Sequence, residues 1–106
     1  MPLNLGVCFW NGEGTSKDHR EATSWFKKAA EQGNAQAQFN LGLCYCNGQG
    51  VPQNLEQGAR FLKQAAEQGN AKAQFELGLC YCDGLGVSLS HIKAVRWFRR
   101  AAAVRP

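Results

Sequence analysis

Residues 37–50 read Ala-Gln-Phe-Asn-Leu-Gly-Leu-Cys-Tyr-Cys-Asn-Gly-Gln-Gly, and residues 73–86 read Ala-Gln-Phe-Glu-Leu-Gly-Leu-Cys-Tyr-Cys-Asp-Gly-Leu-Gly. The offset is 36 residues, and it holds along the whole chain. Leu5-Gly6, Leu41-Gly42 and Leu77-Gly78 align, followed by Phe9, Tyr45 and Tyr81. Gly12-Glu13-Gly14 meets Gly48-Gln49-Gly50 and Gly84-Leu85-Gly86. Trp25, Phe61 and Trp97 fall together, as do Ala29-Ala30, Ala65-Ala66 and Ala101-Ala102, and Gly33-Asn34 repeats at Gly69-Asn70. A fixed period of this length marks a stacked-repeat architecture, in which one unit cannot bury its apolar face without its neighbours. The 106 residues therefore divide into three units, 1–34, 35–70 and 71–106, of a single repeat domain.

Each unit contains two helical stretches punctuated by glycine. Ala37, Leu41, Cys44 and Tyr45 share one helix face, which is the core seam. Phe39, Leu43 and Cys46 lie about 200° around the same helix and form a second apolar stripe; Phe75, Leu79 and Cys82 repeat it. The second stretch opens with a polar cap: Asp18 with Glu21 and Asn54 with Gln57 resemble capping boxes, whereas Ser90 with Lys93 has the cap half alone. Leu55, Ala59, Leu62 and Ala66 then keep helical spacing, and Gln-Gly-Asn at 32–34 and 68–70 places a glycine just past a helix C-terminus. The pattern predicts an all-α, right-handed α-α superhelix with helices near 3–11, 19–31, 35–47, 54–68, 71–83 and 91–103, and no strand. Gly58 stands inside a helix where the other units have Ala22 and Ala94, so either a close helix contact requires it or it is drift.

Composition excludes several classes. With 44% apolar and 19% charged residues the chain reads as globular rather than disordered or fibrous. No apolar run approaches the ~20 residues needed to span a bilayer, so no membrane partner is expected. The N-terminus has no basic segment leading into an apolar stretch and a cleavage site, so no secretory signal is expected. The net charge of +4 lies entirely in the third unit, which carries six basic and two acidic residues. That basic end reads first as a solvated helix face, which makes a nucleic-acid partner the weaker reading.

Ala-x-x-x-Leu-Gly-x-x-Tyr-x-x-Gly-x-Gly-Val, followed by a Trp/Phe aromatic pair, Ala-Ala and Gly-Asn, closely resembles the Sel1-like repeat over nearly all of the chain. That family is a longer-looped relative of the tetratricopeptide repeat. The resemblance implies a non-catalytic scaffold or adaptor that binds a protein or peptide partner, needs no cofactor, and presents a concave groove on the first helix of each unit. By position the groove would comprise Leu3, Val7, Trp10, Asn11, Gln36, Phe39, Leu43, Cys46, Asn47, Lys72, Phe75, Leu79, Cys82 and Asp83. The second stripe above belongs to this set, and its alternative reading is buried stacking against the next unit. Thr15 departs from the pattern where the other units have Val51 and Val87, and Ala103-Val104-Arg105-Pro106 abandons the Glu-Gln-Gly-Asn ending. Polar terminal caps are not visible. This predicts a fragment of a longer array, or self-association through uncapped ends.

Cys8, Cys44, Cys46, Cys80 and Cys82 all fall on the first helix of their units. Some members of the resembled family join the two helices of a unit by a cysteine on each, an arrangement this spacing does not offer. Cys44 and Cys46 point nearly opposite ways, and equivalents 36 residues apart sit on helices about 8–10 Å apart, too far for a disulfide. The same divergence argues against zinc. Cys8, Cys44 and Cys80 read as core, Cys46 and Cys82 as more exposed thiols, and an odd reduced set points to the cytoplasm, with a secreted or organellar parent protein left open. Ser24-Trp25-Phe26-Lys27 spells the Ser-x-x-Lys of penicillin-recognising enzymes, and a few proteins of the resembled family are linked to such compounds. A β-lactam-binding or hydrolase-like role for Ser24 and Lys27 is therefore the alternative function, although neither Ser-Asp-Asn nor Lys-Thr-Gly follows.

Overall fold

A computed structural model of the chain describes residues 16–103. It contains helices α1 (Ser16–Glu31), α2 (Ala35–Asn47), α3 (Leu55–Glu67), α4 (Ala71–Asp83) and α5 (His91–Ala103), and no strand among the described residues. The helix expected near 3–11 lies outside them, as do Leu3, Val7, Cys8, Trp10 and Asn11. Successive helices pack side by side, α1 on α2, α2 on α3, α3 on α4 and α4 on α5. The result is an all-α solenoid.

Local chemistry sets most of the boundaries. Asn34, Asn54 and Asn70 are extended N-caps whose side-chain oxygens accept from the backbone N–H of Ala37 (2.8 Å), Gln57 (3.0 Å) and Ala73 (2.8 Å). Ser90 Oγ accepts from Lys93 N at 3.2 Å, the cap half that the sequence predicts. At the other end, α2 and α4 stop at Gly48 and Gly84, whose φ of +67° and +69° is the left-handed conformation that lets the cap N–H reach back to Cys44 and Cys80 carbonyls. One expectation is corrected: residues 16–31 are helical, so Asp18 lies within α1 rather than at its cap.

Two apolar clusters run through the stack. Ala22, Phe26 and Ala30 of α1 meet Ala37, Leu41 and Cys44 of α2. Leu62, Ala65 and Ala66 of α3 meet Ala73, Leu77, Cys80 and Tyr81 of α4, which in turn hold Ala94 and Trp97 of α5. Fully burying each large side chain, such as Phe26, Leu41, Leu62 or Leu77, contributes about 1.5–3 kcal/mol. Three polar residues, Thr23, Gln38 and Gln74, are buried in this stack. Gln38 Nε2 donates to the Ala30 carbonyl (3.3 Å) and Gln74 Nε2 to the Ala66 carbonyl (3.0 Å), so α2 and α4 each satisfy the C-terminal end of the preceding helix. Between units the loops close tightly. A Cβ on Gly50 would strike Thr23 and the His19 carbonyl, and one on Gly86 would strike the Leu55 carbonyl.

Candidate functional site

The second stripe divides in the folded chain. Phe39 is buried, and Leu43, Cys46 and Cys82 are half-buried and packed against the larger core cluster. In the third unit Phe75 is 49% exposed, while Leu79 is half-buried. Asn47, Lys72 and Asp83 are exposed, and half-buried Gln36 donates from Nε2 to Asn40 Oδ1 at 3.3 Å. Of the residues placed in the groove, the structure brings Phe39, Lys72 and Phe75 together.

They line an open pocket of about 660 Å³ with Glu76, Phe98 and Ala102, between α4 and α5. Phe75 and Phe98 rings meet at 5.6 Å and 46°, a tilted pair that holds the floor. Phe98 is fixed from beneath by Gly78, where an added Cβ would come within 2.6 Å of the ring. The pocket is thus an apolar floor with one cation, Lys72, and one carboxylate, Glu76, at its margin, which suits an apolar side chain carried by a polar backbone. Phe98, Glu76 and Ala102 were not read as site residues from the sequence. The signal for Phe98 was its alignment, one residue past Trp97, with Leu62 and Phe26 of the core.

A second hollow, also about 660 Å³, lies on α5 among Ile92, Val95, Arg96 and Arg99. Ile92 is 74% and Val95 49% exposed, so the helix carries uncovered apolar surface within the basic end of the chain. The basic residues there are solvated or lie on aromatic faces: Arg100 sits 4.4 Å from the centroid of the Trp97 ring and Lys93 5.5 Å from that of Tyr81.

The thiols sort as the sequence predicts: Cys44 and Cys80 are buried, Cys46 and Cys82 half-buried, and all four are free. Burial pushes the Cys44 and Cys80 thiols up to about 11, with a hydrogen bond from Thr23 opposing it at Cys44 and nearby Cys46, Glu76 and Asp83 adding to it at Cys80. Burial first, and the Glu76 carboxylate second, also raises Cys46. The buried Cys44 and Cys80 are inert thiols rather than nucleophiles. No group of three or more metal-ligating side chains occurs among the described residues. Ser24 and Lys27 are both exposed on α1, and nothing in their surroundings favours the hydrolase-like alternative.

Models of protein families match the Sel1 repeat three times, over residues 3–34, 35–70 and 71–103. The chain belongs to the Sel1 repeat family. Proteins with Sel1 repeats generally act as protein-interaction scaffolds and are typically non-enzymatic. Among solved structures, a protective antigen of uropathogenic Escherichia coli with an SLR fold shares 39% identity at a TM-score of 0.87, over 94% of this chain and 21% of that one. A Sel1 repeat protein from Oxalobacter formigenes shares 40% identity at 0.85, over 94% of this chain and 41% of that one. The chain thus spans less than half the length of these two relatives. Cysteine rich protein B of Helicobacter pylori, 22% identical with a TM-score of 0.77 over 92% of this chain and 80% of that one, has the same fold. No curated protein sequence matches significantly. No Sel1 helix among the described residues is long and apolar enough to cross a membrane.

Proposed function

We propose that this Sel1 repeat chain is a non-catalytic protein-interaction module that holds a peptide or protein partner along α2 and α4. Phe75 and its pocket are the anchor. Gln36, Leu43, Cys46, Asn47, Leu79, Cys82 and Asp83 extend the surface, and Lys72 and Glu76 orient the partner's polar groups. The observation that carries this reading is the half-exposed Phe75 over an apolar floor: a large aromatic ring left open beside a cation is the composition of an interface anchor. The family's general role in protein interaction supports it.

A photo-crosslinking phenylalanine analogue placed at Phe75, compared with one at exposed Arg60 on α3, tests it. Protein adducts should form from position 75 and not from position 60, and Lys72→Glu should reduce them at least tenfold while leaving the melting midpoint unchanged. Equal crosslinking from both positions, or none from either, would remove this function.

A further inference from the structure

Three positions of the third unit break the 36-residue pattern in the same direction. Where Leu85 stands the preceding units have Glu13 and Gln49, where Leu89 stands they have Lys17 and Gln53, and where Ile92 stands they have Arg20 and Glu56. All three aliphatic side chains are open to solvent, at 41%, 59% and 74%. The exposure of Leu89 and Ile92 belongs to their positions in the repeat: Gln53 and Glu56 are exposed even though the third unit is stacked on theirs. Val95 is a different case, because its counterpart Ala59 is buried, and it forms no part of the patch. Lys93 and Arg96 follow Ile92 by one and four residues, both are exposed, and α5 carries no acidic residue. The polar-to-aliphatic replacements and the excess of cations thus coincide in one unit.

Leu85 and Leu89 lie in the segment between α4 and α5, and Ile92 on the first turn of α5. The Phe75 pocket is lined instead by the start of α4 and the end of α5, so this patch sits at the opposite end of the helix pair and does not depend on the proposed function. Protruding aliphatic side chains beside cations suit a surface that is anionic outside and apolar within. Protein hot spots are instead enriched in Trp, Tyr and Arg, with leucine under-represented. The aromatic residues here, Tyr81 and Trp97, are buried beneath Lys93 and Arg100 and offer a protein no anchor. We infer that Leu85, Leu89 and Ile92, with Lys93 and Arg96, form a docking patch for an anionic lipid surface. The aliphatic side chains enter the headgroup region and the cations pair with its phosphates. The expectation of no membrane partner came from the lack of a spanning segment, and lying on a surface requires none.

The test floats the full chain with vesicles of mixed phosphatidylglycerol and phosphatidylcholine, and with vesicles of phosphatidylcholine alone. Binding to the mixed vesicles is expected, roughly tenfold or more weaker to the neutral ones, and declining as salt is added. Leu85→Gln with Leu89→Gln puts in the residues that the second unit carries at those places and leaves the net charge unchanged. Glutamine at 89 has its precedent in Gln53, whose Nε2 donates to the Cys46 carbonyl at 2.9 Å, so the melting midpoint should hold while vesicle binding falls roughly tenfold. Lys93→Gln with Arg96→Ser, again residues of the other units, should weaken binding similarly. No binding to the mixed vesicles at low salt, or undiminished binding by the leucine variant, would overturn the patch. Capture of an acidic peptide without vesicle binding would overturn it in favour of a protein partner, and self-association lost in the leucine variant without vesicle binding would overturn it in favour of a second copy. Crosslinking from Phe75 should be the same in both double variants, so failure here leaves the interaction function standing.

Discussion

Replacing Gly58 with alanine should destabilise the protein even though the residue lies inside a helix. Propensity alone favours alanine there by about 1 kcal/mol. Against this, the added Cβ would run into Cys46 Sγ and lie 2.8 Å from the Gly42 carbonyl oxygen and 3.1 Å from Cys46 N. The thiol can rotate away, but the carbonyl and the amide belong to the backbone of α2 and move only with the helix. Ala94, which stands one period after Gly58 and is buried at 2%, shows that a helix pair of this type can host the methyl group. The α2–α3 pair must shift its backbone to do so, because glycines 42 and 58 bring the chains together there: a Cβ on Gly42 would itself lie 3.0 Å from the Gly58 carbonyl oxygen. Overpacking of this kind costs about 1–3 kcal/mol, which leaves a net loss of up to about 2 kcal/mol after the propensity gain. Thermal melts followed by far-ultraviolet circular dichroism should show the midpoint falling by roughly 4–8 °C per kcal/mol. Adding Cys46→Ala should recover the part due to sulfur and leave the part due to the carbonyl. A Gly58→Ala protein that melts higher than the parent would refute the close-contact account and make the glycine drift.

Asn70→Ala removes the acceptor held 2.8 Å from Ala73 N at the start of α4 and should cost about 0.5–2 kcal/mol, measured by urea denaturation. Asn34→Ala should cost a similar amount, whereas loss at neither cap would contradict the assignment. The buried thiols make stability fall in alkali: with the Cys44 and Cys80 values raised from 9.0 to about 11, the unfolded chain releases those protons first. Their contribution is complete below about pH 9 and disappears as pH rises through 11, with a loss on the order of 2–3 kcal/mol from Cys44. Denaturation midpoints that hold steady between those pH values would show that the thiols are not buried as described. Below that range, alkylation should reach Cys46 and Cys82 well before Cys44 and Cys80.

Where a boundary depends on a few neighbouring residues it was legible in the sequence. Asn54 and Ser90 as caps, and glycine past each first helix, are local chemistry, and helices at 35–47, 71–83 and 91–103 were read with those bounds. The sequence differs from the structure at Asp18, because Asp18 with Glu21 imitates a capping box and a short pattern carries no record that Ser16 and Lys17 are already helical. Gln38 and Gln74 escaped notice for a different reason. Their amides are buried because each reaches a helix end in the preceding unit, and polarity along the sequence carries no sign of such a partner.

The candidate site was the least legible part, and the repeats themselves explain why. Phe39 and Phe75 occupy equivalent positions in nearly identical stretches, yet one is core and the other half-exposed. Ala66 and Ala102 differ in the same way. In a stack where each unit touches its immediate neighbours, exposure belongs to a position's place in the array and not to its motif. A periodic sequence repeats the motif without marking where covering stops. The apolar stripe could therefore be read equally as groove or as stacking surface, and the folded chain uses it as both: Phe39, Leu43 and Cys46 pack against the following unit, while one period later Phe75 lies open. The composition of the Phe75 pocket is accordingly that of a core surface, with Phe98 and Ala102 where the covered α3 has Leu62 and Ala66.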